Sequence, residues 1–247
     1  MPLTRYKLTI EYDGTSYAGF QIQDDIKTVA SVLKQAIYNV SRESITITCA
    51  GRTDSGVHAE GQIIHFDLKK IFKPYQIIEA INSNLKTEQI AVIGCDIVDE
   101  NFDARRSSIG KIYRYQILNR RTNSPLMRNR VWHIKPELNI KDMQEASQFL
   151  QGEHDFESFR ASGCQAKHAI RQIDYINVTK KQDLITIHVK GNAFVHNMVR
   201  IITGTLVEVG LAKIAPNAIT EIIQAKDRTK AGRTAPAAGL FLEKVLL

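Results

Sequence analysis

The sequence predicts an α+β fold made of two related ferredoxin-like or RRM-like α/β halves, which share a continuous, mostly antiparallel sheet flanked by helices. Three observations predict it. Strand and helix patterns alternate along all 247 residues. The first half follows the order β-α-β-β-α-β, a split βαβ unit. The second half repeats a similar set of elements without a Gly/Ser-rich or Pro-rich linker, so we place the two halves at residues 1–105 and 106–247.

The first half begins with a strand, because apolar residues alternate from position 3 to position 12. Thr28 can cap a helix that reaches position 40, and Pro74 suits the first turn of a helix that ends near position 85. β-Branched and alternating patterns predict further strands at residues 45–50, 62–67 and 90–98. A polar, glycine-rich loop is expected at residues 51–61.

The second half begins with a long strand at about 107–118, followed by a basic loop and a short strand at 131–134. Asn139 can cap a helix that runs to about residue 150 and is closed by Gly152. The remaining patterns predict a hairpin at residues 171–178 and 184–189, helices at 194–209 and 216–225, and a last strand at 240–246.

Composition is typical of a soluble globular protein, with 43% hydrophobic and 24% charged residues. We expect a cytoplasmic protein with no membrane association, because there is no apolar run long enough to span a bilayer and no apolar leader segment. The three cysteines, Cys49, Cys95 and Cys164, indicate neither a disulfide framework nor a zinc site. The seven histidines are scattered without metal-ligand spacing. We therefore expect no metal and no cofactor.

Positive charge is concentrated in three segments of a chain whose net charge is +7. There is no acidic residue between Asp103 and Glu137 or within residues 160–171, and Asp227 is the only one among the cations of residues 226–233. A single run of this kind is usually a solvated surface. Three runs in a basic protein favour a phosphate-binding face.

The segment most informative about chemistry is the loop around Asp54. Three glycines within residues 51–61 permit a tight backbone path that can aim one carboxylate into a cleft. Arg52 could keep that carboxylate ionised or hold a phosphate. The alternative from the residues alone is an Asx-turn, in which Asp54 bonds only to its own backbone.

The sequence Gly51-Arg52-Thr53-Asp54-Ser55-Gly56-Val57-His58 closely resembles the signature of the tRNA pseudouridine synthase A family. Other ordered motifs extend the resemblance over nearly the whole chain; they lie at residues 11–21, 102–105, 111–115, 192–200 and 238–242. One departure is Phe20, which stands where the family is expected to have Trp. This change keeps an aromatic ring.

The resemblance implies an isomerase that converts uridine to pseudouridine at positions 38, 39 and 40 of the tRNA anticodon stem-loop. Such enzymes break the N1 glycosidic bond, turn the base and rejoin it through C5, a reaction that needs no redox change, metal or energy source. The family acts as a homodimer on which the tRNA lies. Recognition of three successive positions fits readout of shape and backbone charge.

The resemblance also assigns catalytic residues. Asp54 is the nucleophile, and a carboxylate suits this role because its ester is reversible. Tyr113 would stack on the uracil and reach a proton near C5. Arg200 would pair with the catalytic aspartate and keep it anionic. From the residues alone, a half-buried strand tyrosine is the favoured interpretation of Tyr113, and Arg200 could be a solvated helix-end arginine.

Further residues are assigned to substrate binding. Arg52 would stack in place of the extruded base or hold a phosphate, since the target base must leave the helix. Leu240 or Leu242 would form the apolar floor under the base, or be ordinary core. Arg105 and Lys111 match basic positions of the central motif. His58 and His65 are expected to be structural.

Three alternatives remain at this point. A non-catalytic RNA-binding module shares the ferredoxin-like halves, but it would carry an aromatic RNP1 stretch that is not evident here. An aspartic hydrolase would need two carboxylates that share a proton, and Asp13-Gly14-Thr15 lacks the required order. A relative acting on a different RNA site fits the same residues. The attacked atom, C1′ or C6, and the preferred tRNA are open.

Overall fold

A computed structural model describes residues 3–164 and 166–247, which form two compact units. Unit 1 contains the chain up to Ile109 together with Phe241–Leu247, and unit 2 is Gly110–Leu240. The last strand therefore begins at the end of unit 2 and runs within unit 1.

Unit 1 contains the elements β1 (Thr4–Tyr12), α1 (Val29–Ser41), β2 (Thr48–Cys49), β3 (His58–Leu68), α2 (Pro74–Asn84) and β4 (Ile90–Val98). β1 lies between β4 and β3 and is antiparallel to both. β2 pairs antiparallel with the far part of β3. The order β4-β1-β3-β2 is that of a split βαβ unit, as the sequence predicts.

Local sequence explains the main elements of unit 1. Tyr6, Leu8 and Ile10 alternate along β1, and all three are fully buried. Thr28 caps α1, because its hydroxyl oxygen accepts the Ser31 backbone N–H at 3.2 Å. Pro74 occupies the first turn of α2, where its missing N–H costs nothing.

Two predictions in unit 1 are wrong in their limits. β3 begins at His58 rather than residue 62, so the polar loop ends at Val57. Backbone pairing of Tyr12 with Ala59 extends the strand through its glycine, a tertiary effect that local composition does not show. The strand predicted at 45–50 is reduced to Thr48–Cys49.

Unit 2 contains the elements β5 (Gly110–Asn119), β6 (Trp132–Ile134), α3 (Ile140–Gln148), β7 (Gly152–Asp155), β8 (Ile170–Lys181), β9 (Leu184–Gly191), α4 (Met198–Gly210) and α5 (Ala218–Ala225). β9 lies between β5 and β8 and is antiparallel to both. The arrangement β5-α3-β8-β9-α4 repeats that of β1-α1-β2-β3-α2. The predicted class, two related α+β halves with mostly antiparallel strands and flanking helices, is confirmed.

Unit 2 also departs from the predicted limits. α4 begins at Met198 instead of residue 194, because Asn197 adopts a left-handed conformation with φ 60°. β7 was not predicted, since Gly-Glu-His-Asp is polar and short; its pairing with β8 creates it. Asn139 caps α3 as expected, accepting the Lys141 backbone N–H at 3.1 Å.

The last strand, β10 (Leu240–Leu246), has the limits that the sequence predicts. Within unit 1 it pairs parallel with the start of β3, Phe241 opposite His58 and Leu242 opposite Ala59. Among residues 3–164 and 166–247, no helix combines the length and the apolar character that a membrane span requires.

Candidate active site

Asp54 lies in the loop of residues 50–57, which connects β2 to β3 and is called the Asp54 loop here. Its side chain is half-buried. The Val57 backbone N–H donates to the Asp54 carbonyl at 3.1 Å and closes a tight turn. Gly56 sits in this turn with φ 77°, a conformation that favours glycine.

Both neighbours of Asp54 are held by residues distant in sequence. The Phe20 backbone N–H donates to the Thr53 carbonyl at 3.1 Å. The Thr53 hydroxyl lies 2.7 Å from the buried Tyr12 hydroxyl. The Ser55 hydroxyl donates to the Tyr17 carbonyl at 3.2 Å. The backbone on each side of the carboxylate is therefore fixed by tertiary hydrogen bonds, a property suited to a catalytic group.

The segment of residues 14–20 packs directly against the Asp54 loop. A Cβ on Gly14 would lie 2.0 Å from the Val57 carbonyl oxygen, and one on Gly19 would lie 2.8 Å from that of Thr53. Gly19 also has φ 86°. Glycine is therefore required at both positions for this close approach.

A glutamine on β3 supports the start of the Asp54 loop. The Gln62 side chain is fully buried, and its Nε2 donates to the Gly51 carbonyl at 2.7 Å. The Ala50 backbone N–H also donates to the Ile63 carbonyl at 2.9 Å. The loop is thus anchored at its start, next to Asp54 and at its end.

The histidines near this loop have structural contacts, as expected. His58 is 2% exposed, its Nδ1 accepts the Gly14 backbone N–H at 3.1 Å, and its ring stacks on Phe241 at 4.6 Å. His65 accepts the Ala104 backbone N–H at 3.0 Å. Burial lowers the pKa of His65 and keeps it a neutral acceptor.

Two of the predicted RNA-binding residues, Arg52 and Arg105, belong to unit 1. Arg52 and Arg105 are both exposed. Burial raises the pKa of the Cys49 thiol, and the positive charges of Arg52 and Arg105 both act against that rise. Both positive charges therefore act at Cys49, in the strand that leads into the Asp54 loop.

In unit 2, Tyr113 lies on β5 and is 8% exposed. The rings of Tyr113 and Phe194 pack edge to face, with 5.1 Å between their centroids. This is a favourable aromatic geometry. Lys111 lies two residues away on the same strand, so its side chain points to the same face. These contacts fix the ring of Tyr113, but its catalytic role stays a prediction.

Arg200 is in the first turn of α4 and is half-buried. Its Nε donates to the Ala235 carbonyl at 2.8 Å, and its Nη1 donates to the Asn197 side-chain oxygen at 2.7 Å. The Ala235 backbone N–H in turn donates to the Arg200 carbonyl at 3.1 Å. Arg200 is therefore a fixed guanidinium rather than a freely solvated helix-end arginine.

The two candidate floor residues are both buried, Leu240 to 5% exposure and Leu242 to 0%. Burial fits either role, so the choice between them stays open. Among residues 3–164 and 166–247, no group of three or more His, Cys, Asp or Glu side chains is placed to hold a metal ion.

Sequence reasoning missed the residues that support the Asp54 loop. Tyr12 reads as an ordinary member of an alternating strand, and Gln62 as a polar strand residue. Their partners lie 41 and 11 residues away, so neither periodicity nor spacing indicates the contact. The available signal was a tyrosine at the end of an apolar strand face, because a buried tyrosine hydroxyl usually has a hydrogen-bond partner.

Comparison with known proteins identifies the class of enzyme that this fold and loop define. The family model described as tRNA pseudouridine synthase matches residues 8–105 and 146–246. The chain belongs to this family of isomerases, which make pseudouridine in tRNA.

Full-length relatives agree with the family assignment. The tRNA pseudouridine synthase A of Ruminiclostridium cellulolyticum is 46% identical over 244 residues, which cover 98% of this chain and 99% of that protein. Those of Neorickettsia sennetsu and Bartonella henselae are 43% and 41% identical over 242 and 245 residues, with the same coverage. The resemblance inferred from motifs is confirmed.

Proposed function

We propose that this protein isomerises uridine to pseudouridine at positions 38, 39 and 40 of the tRNA anticodon stem-loop, with Asp54 as the nucleophile and without a cofactor. The observation that carries the proposal is the Asp54 loop. It holds a half-buried carboxylate on a backbone fixed at Thr53 and Ser55, within a chain that belongs to the tRNA pseudouridine synthase family.

The proposed reaction balances without an external reactant. The N1–C1′ bond breaks, the base turns, and a C5–C1′ bond forms. N1 gains a proton and C5 loses one, so the product is an isomer of the substrate. A carboxylate can hold C1′ or C6 during the turn, because it is both a nucleophile and a leaving group. Tyr113 is assigned to stacking and to proton transfer at C5. Arg200 is assigned to stabilising the ionised carboxylate.

Substrate recognition is assigned to charge and shape rather than base edges. Arg52, Arg105 and Lys111 are proposed to contact the RNA. The target base must be extruded, and the adjacent backbone phosphates must be held while the base turns. Net charge of +7 supports binding of a polyanion. We further propose a cytoplasmic homodimer, in which two chains together present the basic surface.

The test uses unmodified tRNA transcripts labelled with tritium at uracil C5, with uridine at positions 38 to 40 or with cytidine at those positions. Tritium released to water reports the reaction, and carbodiimide mapping locates the product. We expect release only from the first transcript and product at positions 38 to 40. Asp54→Ala should abolish release, while Asp24→Asn, which removes an exposed carboxylate of unit 1, should not.

Other outcomes separate the alternatives. Release with product elsewhere keeps the chemistry and replaces the substrate site. Tight tRNA binding with no release from any transcript contradicts the proposal and favours a non-catalytic RNA-binding module. A mass measurement in solution tests the dimer, and a monomer at the working concentration would contradict that part alone.

A further inference from the structure

We infer that Tyr12 is a positioning residue for the reaction: its hydroxyl, acting through Thr53, sets the orientation of the backbone that carries Asp54. The inference rests on the proposed role of Asp54 as nucleophile. It goes beyond that role, because Tyr12 belongs to β1 and is 42 residues from Asp54 in the sequence.

The contact lies at the buried end of β1. Tyr12 is 4% exposed and Thr53 is 6% exposed. Their hydroxyl oxygens are 2.7 Å apart, the usual distance for a hydrogen bond between hydroxyl groups. The fully buried Gln62 side chain lies on β3, and its Nε2 donates to the Gly51 carbonyl.

The effect on Asp54 follows from how Thr53 is held. The Thr53 side chain is fixed by Tyr12, and its carbonyl oxygen is fixed by the Phe20 backbone N–H at 3.1 Å. That carbonyl belongs to the peptide plane that joins Thr53 to Asp54. Because this plane is rigid, fixing Thr53 at two atoms also fixes the direction in which the Asp54 main chain begins.

Loss of the Tyr12 hydroxyl would leave the Thr53 hydroxyl without this buried partner. The Thr53 side chain could then rotate, and the Asp54 carboxylate would no longer be held in one orientation. A displacement of about 1 Å at a reacting group can cost about 100-fold in rate. Burial also raises the pKa of Tyr12 well above its ordinary value, so the hydroxyl stays protonated and the contact persists at every working pH.

The chain offers a matched control on the same strand. Tyr6 is fully buried, its hydroxyl donates to the Phe72 carbonyl at 3.0 Å, and it accepts the Phe72 backbone N–H at 2.8 Å. Tyr6→Phe therefore also removes a hydrogen-bonded hydroxyl from β1, but one whose bonds lead to residue 72 instead of the Asp54 loop. It reports the purely structural cost of the deletion.

The experiment compares five full-length variants with the wild type, with tRNA as the substrate. The variants are Tyr12→Phe, Thr53→Val, the double variant, Thr53→Ser and Tyr6→Phe. Single-turnover rate, tRNA Kd and melting temperature are measured for each. We expect Tyr12→Phe and Thr53→Val to slow the reaction about 10- to 100-fold with Kd within about twofold. The double variant should be no slower than the slower single variant, because both remove one interaction.

The remaining variants separate positioning from stability. Thr53→Ser retains the hydroxyl and should recover most of the rate lost in Thr53→Val. Tyr6→Phe should also lower the melting temperature, while its rate stays within about twofold of wild type. If Tyr12→Phe does not fold, the single-turnover rates of Thr53→Val and Thr53→Ser test the inference, because only Thr53→Ser keeps the hydroxyl.

The inference is overturned if Tyr12→Phe reacts at the wild-type rate, if the double variant shows the product of the two single losses, or if Tyr6→Phe is slowed equally. An inactive wild type would instead overturn the proposed function. The two failures are therefore distinguishable, because the first requires an active wild type.

Discussion

Two loops of this protein differ in the hydrogen bonds that stabilise them. The Asp54 loop is held by residues far away in sequence, with Thr53 bonded to Tyr12 and Ser55 bonded to Tyr17. The loop of residues 120–131, called the basic loop here, contains several bonds between near neighbours, and Arg120 at its start also pairs with Asp183 at 3.4 Å. Arg120 donates to the Thr122 and Asn123 carbonyls, and Asn123 accepts the Ser124 backbone N–H.

The difference fits the two tasks proposed for these loops, catalysis and RNA binding. A nucleophile must be held to within a fraction of an ångström, which needs anchors from a rigid scaffold. A phosphate contact depends on charge and tolerates movement. Arg121 and Arg128 are exposed, and Leu126 between them is 95% exposed. Changes in the Asp54 loop should therefore alter rate, and changes in the basic loop should alter binding and its salt dependence.

Apart from substitution of Asp54 itself, the largest expected effect concerns the ring of Tyr113, which the structure also holds in place. Tyr113→Phe keeps the edge-to-face contact with Phe194 but removes the hydroxyl, so we expect the rate to fall by about 10²- to 10⁴-fold, the usual contribution of an acid–base group. Folding and tRNA Kd should stay close to wild type. Tyr175→Phe, at an exposed position of β8, is the control. A wild-type rate for Tyr113→Phe would show that this tyrosine only packs.

A smaller loss is expected from Gly19→Ala, which disturbs an anchor of the Asp54 loop. The added Cβ would lie 2.8 Å from the Thr53 carbonyl oxygen, on a backbone with φ 86°. We expect about 2–4 kcal/mol of destabilisation and at least a tenfold slower reaction. Chemical denaturation and single-turnover kinetics measure the two effects.

Gly163→Ala is the matched control for this change. Gly163 has a similar φ of 77°, but its Cβ would meet nothing within 4 Å. It should therefore show only the cost of the left-handed backbone, about 1 kcal/mol. Equal destabilisation by both substitutions would contradict the close approach of residues 14–20 to the Asp54 loop.

The basic loop should behave differently. Arg121→Gln and Arg128→Gln should each weaken tRNA binding a few-fold at physiological salt and reduce the slope of log Kd against log salt by about 0.7 to 0.9. The rate at saturating tRNA should not change. Filter binding at several salt concentrations measures this, with Lys86→Gln, an exposed cation of unit 1, as control. A changed saturated rate with an unchanged salt slope would reverse the assignment.

The smallest effect concerns pH. Burial, and then the charge of Arg5, lower the pKa of His65 below its ordinary value of 6.5. The unfolded chain therefore binds a proton at His65 more readily than the folded chain does. Above about pH 6.5 the residue is neutral in both states, and the free energy of unfolding decreases as the pH falls below that value.

Substitution of His65 by Asn should flatten this dependence. We expect the wild type to lose up to about 1.4 kcal/mol per pH unit from this group, measured by urea denaturation at pH 7.5 and 5.5. His168→Asn, at an exposed histidine, should keep the wild-type dependence. A variant at residue 65 that loses stability as steeply as the wild type would contradict the neutral buried form.

Much of this fold follows from local sequence. The limits of β4 and β10 and the caps at Thr28 and Asn139 were predicted correctly, because periodicity and capping chemistry are local properties. The start of β3 and the existence of β7 were not, because each is created by pairing with a strand elsewhere. Asp54 could be identified from its signature, but its anchors could not, since Tyr12 acts through a contact across 41 residues.

The fixed carboxylate of Asp54 is proposed to perform the chemistry and to contribute little to binding. The most direct test is a single-turnover experiment with tritium-labelled tRNA on the wild type and Asp54→Asn, with tRNA Kd measured on both. Asn keeps the shape of the side chain but is not a carboxylate nucleophile. We expect a rate lower by about 10⁴-fold or more and a Kd within about threefold. A rate within tenfold of wild type would contradict the account.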